Sequence, residues 1–185
     1  MDQQRLKALT GLMDTTGLVA MAFNPGPTLT YLTGMRFHLM ERPTVLLVSQ
    51  AGSAAMILPE LEKGKLPNES ADFKAFGYSD NPATWPLAFS RASEWLGLAV
   101  GKIGVVPTRL RFLELNFLQS AMPEINFVDG SLAVNGLRMH KDPEEISNMR
   151  KAALIAQEAM YATLQKVHEG MTEKEIANLL VTRLL

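Results

Sequence analysis

Two short apolar segments, almost adjacent in the chain, constrain the fold most strongly. Residues 43–49 are PTVLLVS and residues 53–59 are SAAMILP, with only QAG between them. Each segment is shorter than a typical helix, and a brief connection that contains glycine is typical of a β-hairpin. The sequence therefore predicts that the two segments pair as antiparallel strands.

Segments with helical and strand periodicity alternate on both sides of this hairpin. Further strands are predicted for LVAMAF, DFKAFGY, GKIGVV and INFVD, at residues 18–23, 72–78, 101–106 and 125–129. Helices are predicted over residues 3–16, 81–97 and 107–122, and the segment NPGPT after the first strand is predicted to be a turn or loop. This alternation predicts an α/β domain, with a mixed β-sheet and flanking helices, over residues 1–130.

The last part of the chain has two strong helix-start signals. Asp142 is placed to cap a helix that has Pro143 at its first position and Glu145 at its third. Thr172 and Glu175 have the spacing of a capping box for a second helix. The sequence therefore predicts two consecutive helices here.

Both of these helices carry an apolar stripe, because apolar residues recur every three or four positions along them. Such helices take most of their stability from packing against a partner surface. We expect residues 131–141 to be a linker and residues 142–185 to be the first helices of a second domain that continues beyond Leu185. The alternative, in which these helices fold back on the first domain, stays open.

Charge and composition argue against several classes of partner. Eighteen basic and nineteen acidic residues give a net charge of -1, which creates no field that attracts nucleic acid or an anionic membrane. The chain has no cysteine, so it offers no disulfide and no thiolate nucleophile. Its first residues lack the continuous apolar segment of a signal peptide, and no later stretch approaches the roughly twenty apolar residues of a membrane span. We therefore expect a cytoplasmic protein without nucleic-acid or membrane partners.

No set of residues has the spacing of a self-sufficient catalytic or metal site. His38, His140 and His168 lie far apart in the sequence and lack the HExxH spacing of a zinc site. We interpret each of them as a structural or surface residue, and we predict no catalytic residue and no metal ligand in this chain.

The segment between the first two predicted strands, NPGPTLTYLTGMRFHLMERP at residues 24–43, is the most unusual part of the sequence. It places six residues suited to binding close together: Asn24, Tyr31, Thr33, Arg36, Phe37 and His38. The alternative is that Asn24 and Thr33 belong to turns while the two aromatic residues pack in the core. The sequence leaves both interpretations open.

Several of these motifs together resemble the creatinase and Xaa-Pro peptidase family, which includes prolidase and aminopeptidase P. They are NPxxxxxYLTG at residues 24–34, ERPTVLLV at 41–48, LRMHKDPEEISNMRKAALIAQEAM at 137–160 and EGMTEKEIA at 169–177. The motif residues Asn24, Tyr31, Thr33 and Gly34 match the first of these. The last two motifs mark the place where the N-terminal domain of that family gives way to its catalytic "pita-bread" domain.

The resemblance implies a metal-dependent hydrolase. In this family two divalent ions, usually manganese, cobalt or zinc, are held by two aspartates, a histidine and two glutamates, and all five lie later in the chain than Leu185. The full-length protein is thus expected to hydrolyse Xaa-Pro peptide bonds, while this chain alone is expected to be inactive. Two other relatives stay open: a creatinase-like amidinohydrolase and a non-enzymatic protein-binding protein.

The resemblance also implies a homodimer in which the N-terminal domain reaches over the active site of the partner subunit and restricts the peptide substrate. By position, Arg36, Phe37 and His38 are expected to make this contribution in trans. An arginine at that place is suited to bidentate hydrogen bonding with a substrate carboxylate.

Overall fold

The computed structural model describes residues 2–184, and the chain divides into two units, Met1–Met139 and His140–Leu185. The strands are β1 (Ala20–Phe23), β2 (Val45–Ser49), β3 (Ala54–Pro59), β4 (Phe73–Tyr78), β5 (Gly101–Val105) and β6 (Ile125–Asp129). The helices are α1 (Gln3–Thr16), α2 (Pro27–Thr33), α3 (Trp85–Trp95), α4 (Phe112–Ala121), α5 (Ser131–Met139), α6 (Pro143–Leu164) and α7 (Glu173–Leu184). Two 3₁₀ segments, Glu60–Lys65 and Pro82–Thr84, complete the list of elements.

The first unit is built on one mixed sheet with the strand order β4-β3-β2-β1-β5-β6. β2 is antiparallel to both of its neighbours, β1 and β3, whereas the other neighbouring pairs are parallel. The predicted hairpin is therefore confirmed as β2 and β3, and the predicted α/β fold with a mixed sheet and flanking helices is confirmed as well.

Helices cover both faces of this sheet. Met21 and Phe23 of β1 belong to a buried cluster with α1, α2 and α5, while Ala20 and Ala22 belong to a second cluster with α3 and α4. Successive strand residues point to opposite faces, so a strand buried on both sides must be apolar at nearly every position. This explains why the central strands are continuous apolar runs without alternating polar residues.

The structure corrects the prediction that NPGPT is only a turn or loop. The chain turns at Pro25 and Gly26, but α2 begins directly at Pro27 and ends at Thr33. Proline is favoured at the first helical position for two reasons. A backbone N–H at that position has no acceptor within the helix, so its absence costs nothing, and the fixed φ of proline already suits a helix. The irregular part of this connection is therefore limited to residues 35–44, here called the 35–44 loop.

The structure also differs from the sequence prediction at the start of α4 and after β6. The helix predicted from residue 107 begins at Phe112, because Arg111 is extended with φ -80° and ψ 159°. Residues 131–139, expected to be part of a linker, form α5, whose Ala133, Val134 and Leu137 are buried. The boundary expected near residue 130 falls instead after Met139, because α5 contributes its apolar face to the core of the first unit.

The second unit consists of α6 and α7, which pack against each other. Both predicted caps are present: Glu145 N–H donates to Asp142 Oδ1 over 2.7 Å, and Thr172 N–H donates to Glu175 Oε2 over 2.8 Å. Several large apolar side chains of α6, such as Leu154, remain more than half exposed. Among the described residues, no helix is both long enough and apolar enough to cross a membrane.

The close approach of β5 to the residue after β6 predicts that Gly104 tolerates no side chain. A Cβ atom at Gly104 would lie 2.8 Å from Leu18 Cδ1 and 3.2 Å from the backbone of Gly130. Overpacking of this kind destabilises a core by about 1–3 kcal/mol, which is the loss expected for Gly104→Ala. Gly11→Ala is the matched control, because Gly11 is within α1 and its Cβ would meet nothing within 4 Å.

The control substitution should stabilise the protein by about 0.5–1 kcal/mol, since alanine favours a helix. Unfolding in urea, followed by tryptophan fluorescence, measures both variants. The only tryptophans, Trp85 and Trp95, lie in the first unit, so the signal reports that unit. The prediction would be contradicted if the free energy of unfolding of Gly104→Ala were equal to or higher than that of Gly11→Ala.

The buried tyrosine at the end of β4 should make the protein less stable at alkaline pH. Tyr78 is 4% exposed, and its hydroxyl donates a 2.6 Å hydrogen bond to the Pro43 carbonyl. Burial raises the pKa of Tyr78 well above its usual value of 10.0. The unfolded chain therefore releases this proton first, and above about pH 10 the free energy of unfolding should fall by up to about 1.4 kcal/mol per pH unit.

Tyr78→Phe lacks this proton and should lose less stability over the same pH range. Urea unfolding of both proteins between neutral and alkaline pH measures the difference. If the difference in the free energy of unfolding between the two proteins stayed constant above pH 10, Tyr78 would ionise as easily in the folded protein as in the unfolded chain, and the prediction would be wrong.

Candidate functional site

The reversal of β2 determines which segments meet at one edge of the sheet. Because β2 runs opposite to β1 and β3, its start lies at the edge where those two strands end. Ligands of open α/β sheets usually bind outside the carboxyl ends of the strands. The 35–44 loop, which leads into β2, thus lies at the edge of the sheet where a binding site is expected.

The three residues proposed for substrate contact all lie in the 35–44 loop, but they differ in environment. Arg36 and His38 are exposed, whereas Phe37 is half-buried and packs against the core cluster of α1 and α2. Neither Arg36 nor His38 has a side-chain hydrogen bond or ion pair within the described part of the chain. Their side chains are therefore available to a ligand.

A cleft of about 380 Å³ separates the loop from the 3₁₀ segment Glu60–Lys65. Phe37 and His38 line it, but Arg36 does not. Leu61 and Lys65 contribute from the opposite side, and Lys65 Nζ lies 6.0 Å from the centre of the Phe37 ring. An apolar surface bordered by charged groups of both signs is suited to binding a short peptide, but it contains no nucleophile paired with a base.

The four motif residues that precede the loop mostly build the turn at its start. The Thr33 hydroxyl donates to the Leu29 carbonyl over 2.7 Å and accepts from the Met35 N–H over 3.0 Å. Gly34 has φ 72°, a left-handed conformation that favours glycine, and it ends α2. The Tyr31 ring lies 4.0 Å from the Arg5 guanidinium. These three residues favour the structural interpretation that the sequence left open.

Asn24 differs from the other motif residues. It follows β1, is 7% exposed, and neither polar atom of its side chain has a hydrogen-bond partner. It borders a small cleft of about 40 Å³ that is also lined by Thr28, Arg109 and Arg138. The space is sufficient for little more than ordered water.

Sequence reasoning missed the strongest polar cluster at this edge. Arg111 Nε lies 2.9 and 3.1 Å from the two carboxylate oxygens of Glu114, and Nη2 of the same guanidinium also donates to that carboxylate. Glu114 is fully buried. The hydrogen bond to Glu114 raises the pKa of Arg111 above its usual value, so the guanidinium stays charged. Arg111 and Glu114 are three residues apart, a spacing typical of an ion pair in the first turn of a helix. The pair was not recognised because α4 was predicted to begin at residue 107 and not at Phe112.

Arg111 also connects this cluster to the 35–44 loop. Its Nη1 donates to the Met40 carbonyl over 2.6 Å, across 71 residues of sequence. Nearby, an ion pair of 2.6 Å joins Arg42 to Asp80 at the surface. The C-terminal half of the loop therefore contacts two separate parts of the chain, and the bond from Arg111 is the less exposed of the two contacts.

Metal binding has no support from the described residues, 2–184. No group of three or more histidine, aspartate or glutamate side chains among them is arranged to hold an ion. The two ions that the resemblance implies therefore do not fit any set of side chains described here.

Comparisons with known proteins match most of this chain to one family. The family model described as the creatinase/prolidase N-terminal domain matches residues 5–140. The Xaa-Pro dipeptidase of Lactobacillus helveticus is 28% identical over 171 residues, which is 90% of this chain and 45% of that protein.

Two solved structures share the fold. A dipeptidase from Pyrococcus horikoshii superposes with a TM-score of 0.85 and 29% identity, over 97% of this chain and 49% of the other. The creatinase/prolidase N-terminal domain of an X-Pro dipeptidase from Streptococcus pyogenes gives a TM-score of 0.59 at 21% identity, over 73% of this chain and 99% of that one. This chain spans about half the length of the curated relatives it matches. Since the family model matches most of its residues, the chain belongs to the creatinase/prolidase N-terminal domain family.

Proposed function

We propose that this chain is the N-terminal, non-catalytic portion of an Xaa-Pro dipeptidase or aminopeptidase. The observation that carries the proposal is the match of 90% of the chain to 45% of the Lactobacillus helveticus Xaa-Pro dipeptidase, at 28% identity. The longer protein would hydrolyse Xaa-Pro bonds with two divalent ions, manganese, cobalt or zinc, which act as Lewis acids in such hydrolases. In this proposal the metal ligands belong to the rest of the longer protein, and this chain contributes binding and not bond cleavage.

The proposed contribution is to dimerisation and to the choice of substrate. In a cytoplasmic homodimer, the 35–44 loop of one subunit would lie over the active site of the other and limit the length of the peptide. The exposure of Arg36 and His38, and the cleft beside Phe37, support this assignment. No feature of residues 2–184 favours the amidinohydrolase or the non-enzymatic protein-binding alternative.

The proposal predicts a clear difference between this chain and the longer protein. The 185-residue chain, with added manganese or cobalt, should not hydrolyse a Xaa-Pro dipeptide above the rate of the metal alone. The longer protein that carries it should hydrolyse the dipeptide and leave creatine unchanged. Release of proline measures the first reaction, and turnover of creatine by the longer protein would refute the peptidase assignment.

Arg36 provides a more specific prediction for the longer protein. If its guanidinium binds the substrate carboxylate, Arg36→Ala should raise KM for a Xaa-Pro dipeptide about tenfold or more, because a hydrogen bond to a charged group contributes about 1.5–3 kcal/mol. KM for the corresponding dipeptide amide, which has no carboxylate, should change less than about twofold. Steady-state kinetics with both substrates measures the effect.

Arg91→Ala is the matched control, because Arg91 is an exposed arginine of α3 and lines neither cleft. It should leave both values of KM unchanged. An equal rise in KM for the acid and the amide after Arg36→Ala would mean that Arg36 does not bind the carboxylate.

A further inference from the structure

Two backbone carbonyls fix the returning part of the 35–44 loop. The Met40 carbonyl accepts from Arg111 Nη1 and the Pro43 carbonyl accepts from the Tyr78 hydroxyl, both over 2.6 Å. Because both acceptors belong to the main chain, these bonds hold the path of the loop whatever side chains it carries. The surface ion pair of Arg42 adds little, since exposed pairs are weak.

Arg111 is itself fixed by a buried partner. Its Nε and Nη2 atoms both bind the carboxylate of Glu114, which leaves Nη1 directed at Met40. An exposed pair of this spacing would be enough to support the start of α4. Burying the carboxylate fully is costly and requires the guanidinium to stay in one orientation. The pairing of the half-buried Arg111 with this buried carboxylate therefore determines the direction of the donor that holds the loop.

The leading part of the loop has the opposite character. Arg36, His38 and Leu39 are exposed, and neither Arg36 nor His38 makes a side-chain hydrogen bond or ion pair within residues 2–184. The main chain is nevertheless held on both sides of them, because the Met35 N–H donates to the Thr33 hydroxyl and the Met40 carbonyl accepts from Arg111. A main chain fixed in this way lowers the entropy lost when a ligand binds. Arg36 and His38 thus lie between two fixed points of the main chain, while their side chains stay exposed to a ligand.

We propose that Arg111 and Tyr78 are positioning residues that clamp the 35–44 loop, so that Arg36 and His38 are presented to the peptide substrate in one arrangement. Only the identity of the ligand rests on the proposed function. The clamp itself is a property of this chain and is tested without any substrate.

Spin labelling tests the clamp directly in the 185-residue chain. The chain has no cysteine, so Leu39→Cys gives a single labelling site next to Met40. Tyr78→Phe removes only the donor to Pro43. Arg111→Lys keeps a cation beside Glu114 but replaces the planar guanidinium, whose separate nitrogens bind Glu114 and Met40, with a single nitrogen. Each should shorten the rotational correlation time of the nitroxide by about twofold or more. The rotation of the nitroxide occurs on the nanosecond timescale and determines the shape of its spectrum.

Two controls separate a local effect from general loosening. Arg109→Lys changes an exposed arginine two residues from Arg111 and should leave the label at residue 39 unchanged. A label at Leu87→Cys on α3 should be unaffected by any of the substitutions. An unchanged spectrum at residue 39 in both clamp variants would overturn the proposal, and so would equal changes at residues 39 and 87.

Kinetics of the longer enzyme then tests the positioning role. Arg111→Lys and Tyr78→Phe should raise KM for the Xaa-Pro dipeptide about tenfold or less with little change in kcat, and adding Arg36→Ala should raise it no further than Arg36→Ala alone. If the effects of a clamp substitution and of Arg36→Ala on KM were fully additive in free energy, the proposed coupling between the clamp and Arg36 would be wrong. If the label responds but Arg36→Ala alone has no effect on KM, the clamp stands and the proposed function of the loop fails.

Discussion

The pairing of β2 between β1 and β3 is the constraint on which the arrangement of this protein depends. All three strands are buried on both faces, and β1 packs Met21 and Phe23 into one core cluster but Ala20 and Ala22 into the other. A shift of one residue would exchange large and small side chains between the two clusters, so the register is fixed by packing. Since β2 alone runs against its neighbours, the segment that leads into it must return to the edge where β1 and β3 end. The loop with the candidate binding residues lies at that edge because of the sheet, independently of its own sequence.

The sheet also supplies the groups that hold the loop. Tyr78 is the last residue of β4, and Arg111 follows β5 in the connection to α4, so both donors come from the same edge. One lies in a strand and the other at a helix start, and each reaches a carbonyl of the loop. A rigid sheet carrying a held loop with exposed polar side chains is a common way to build a binding site.

Local signals in the sequence were sufficient for most elements of the fold. The hairpin follows from two apolar runs and a short connection, and α6 follows from Asp142, Pro143 and Glu145. The start of α2 was missed because Pro27 both ends a turn and begins a helix, and these two roles have the same local pattern. The clamp was missed for a different reason: Arg111 and Met40 are 71 residues apart, and only the completed sheet brings them together. The candidate residues of the loop follow from the family resemblance and their position, while what holds them depends on three-dimensional contacts.

We propose that the 35–44 loop contacts the peptide substrate of an Xaa-Pro peptidase. Photocrosslinking tests it most directly, with p-benzoylphenylalanine in place of His38 in the longer protein and a slowly hydrolysed Xaa-Pro peptide as ligand. We expect mass spectrometry to find the peptide attached at residue 38, and we expect excess unlabelled substrate to prevent the attachment. Attachment that substrate does not prevent, or crosslinks confined to the first unit of the same subunit, would contradict the account.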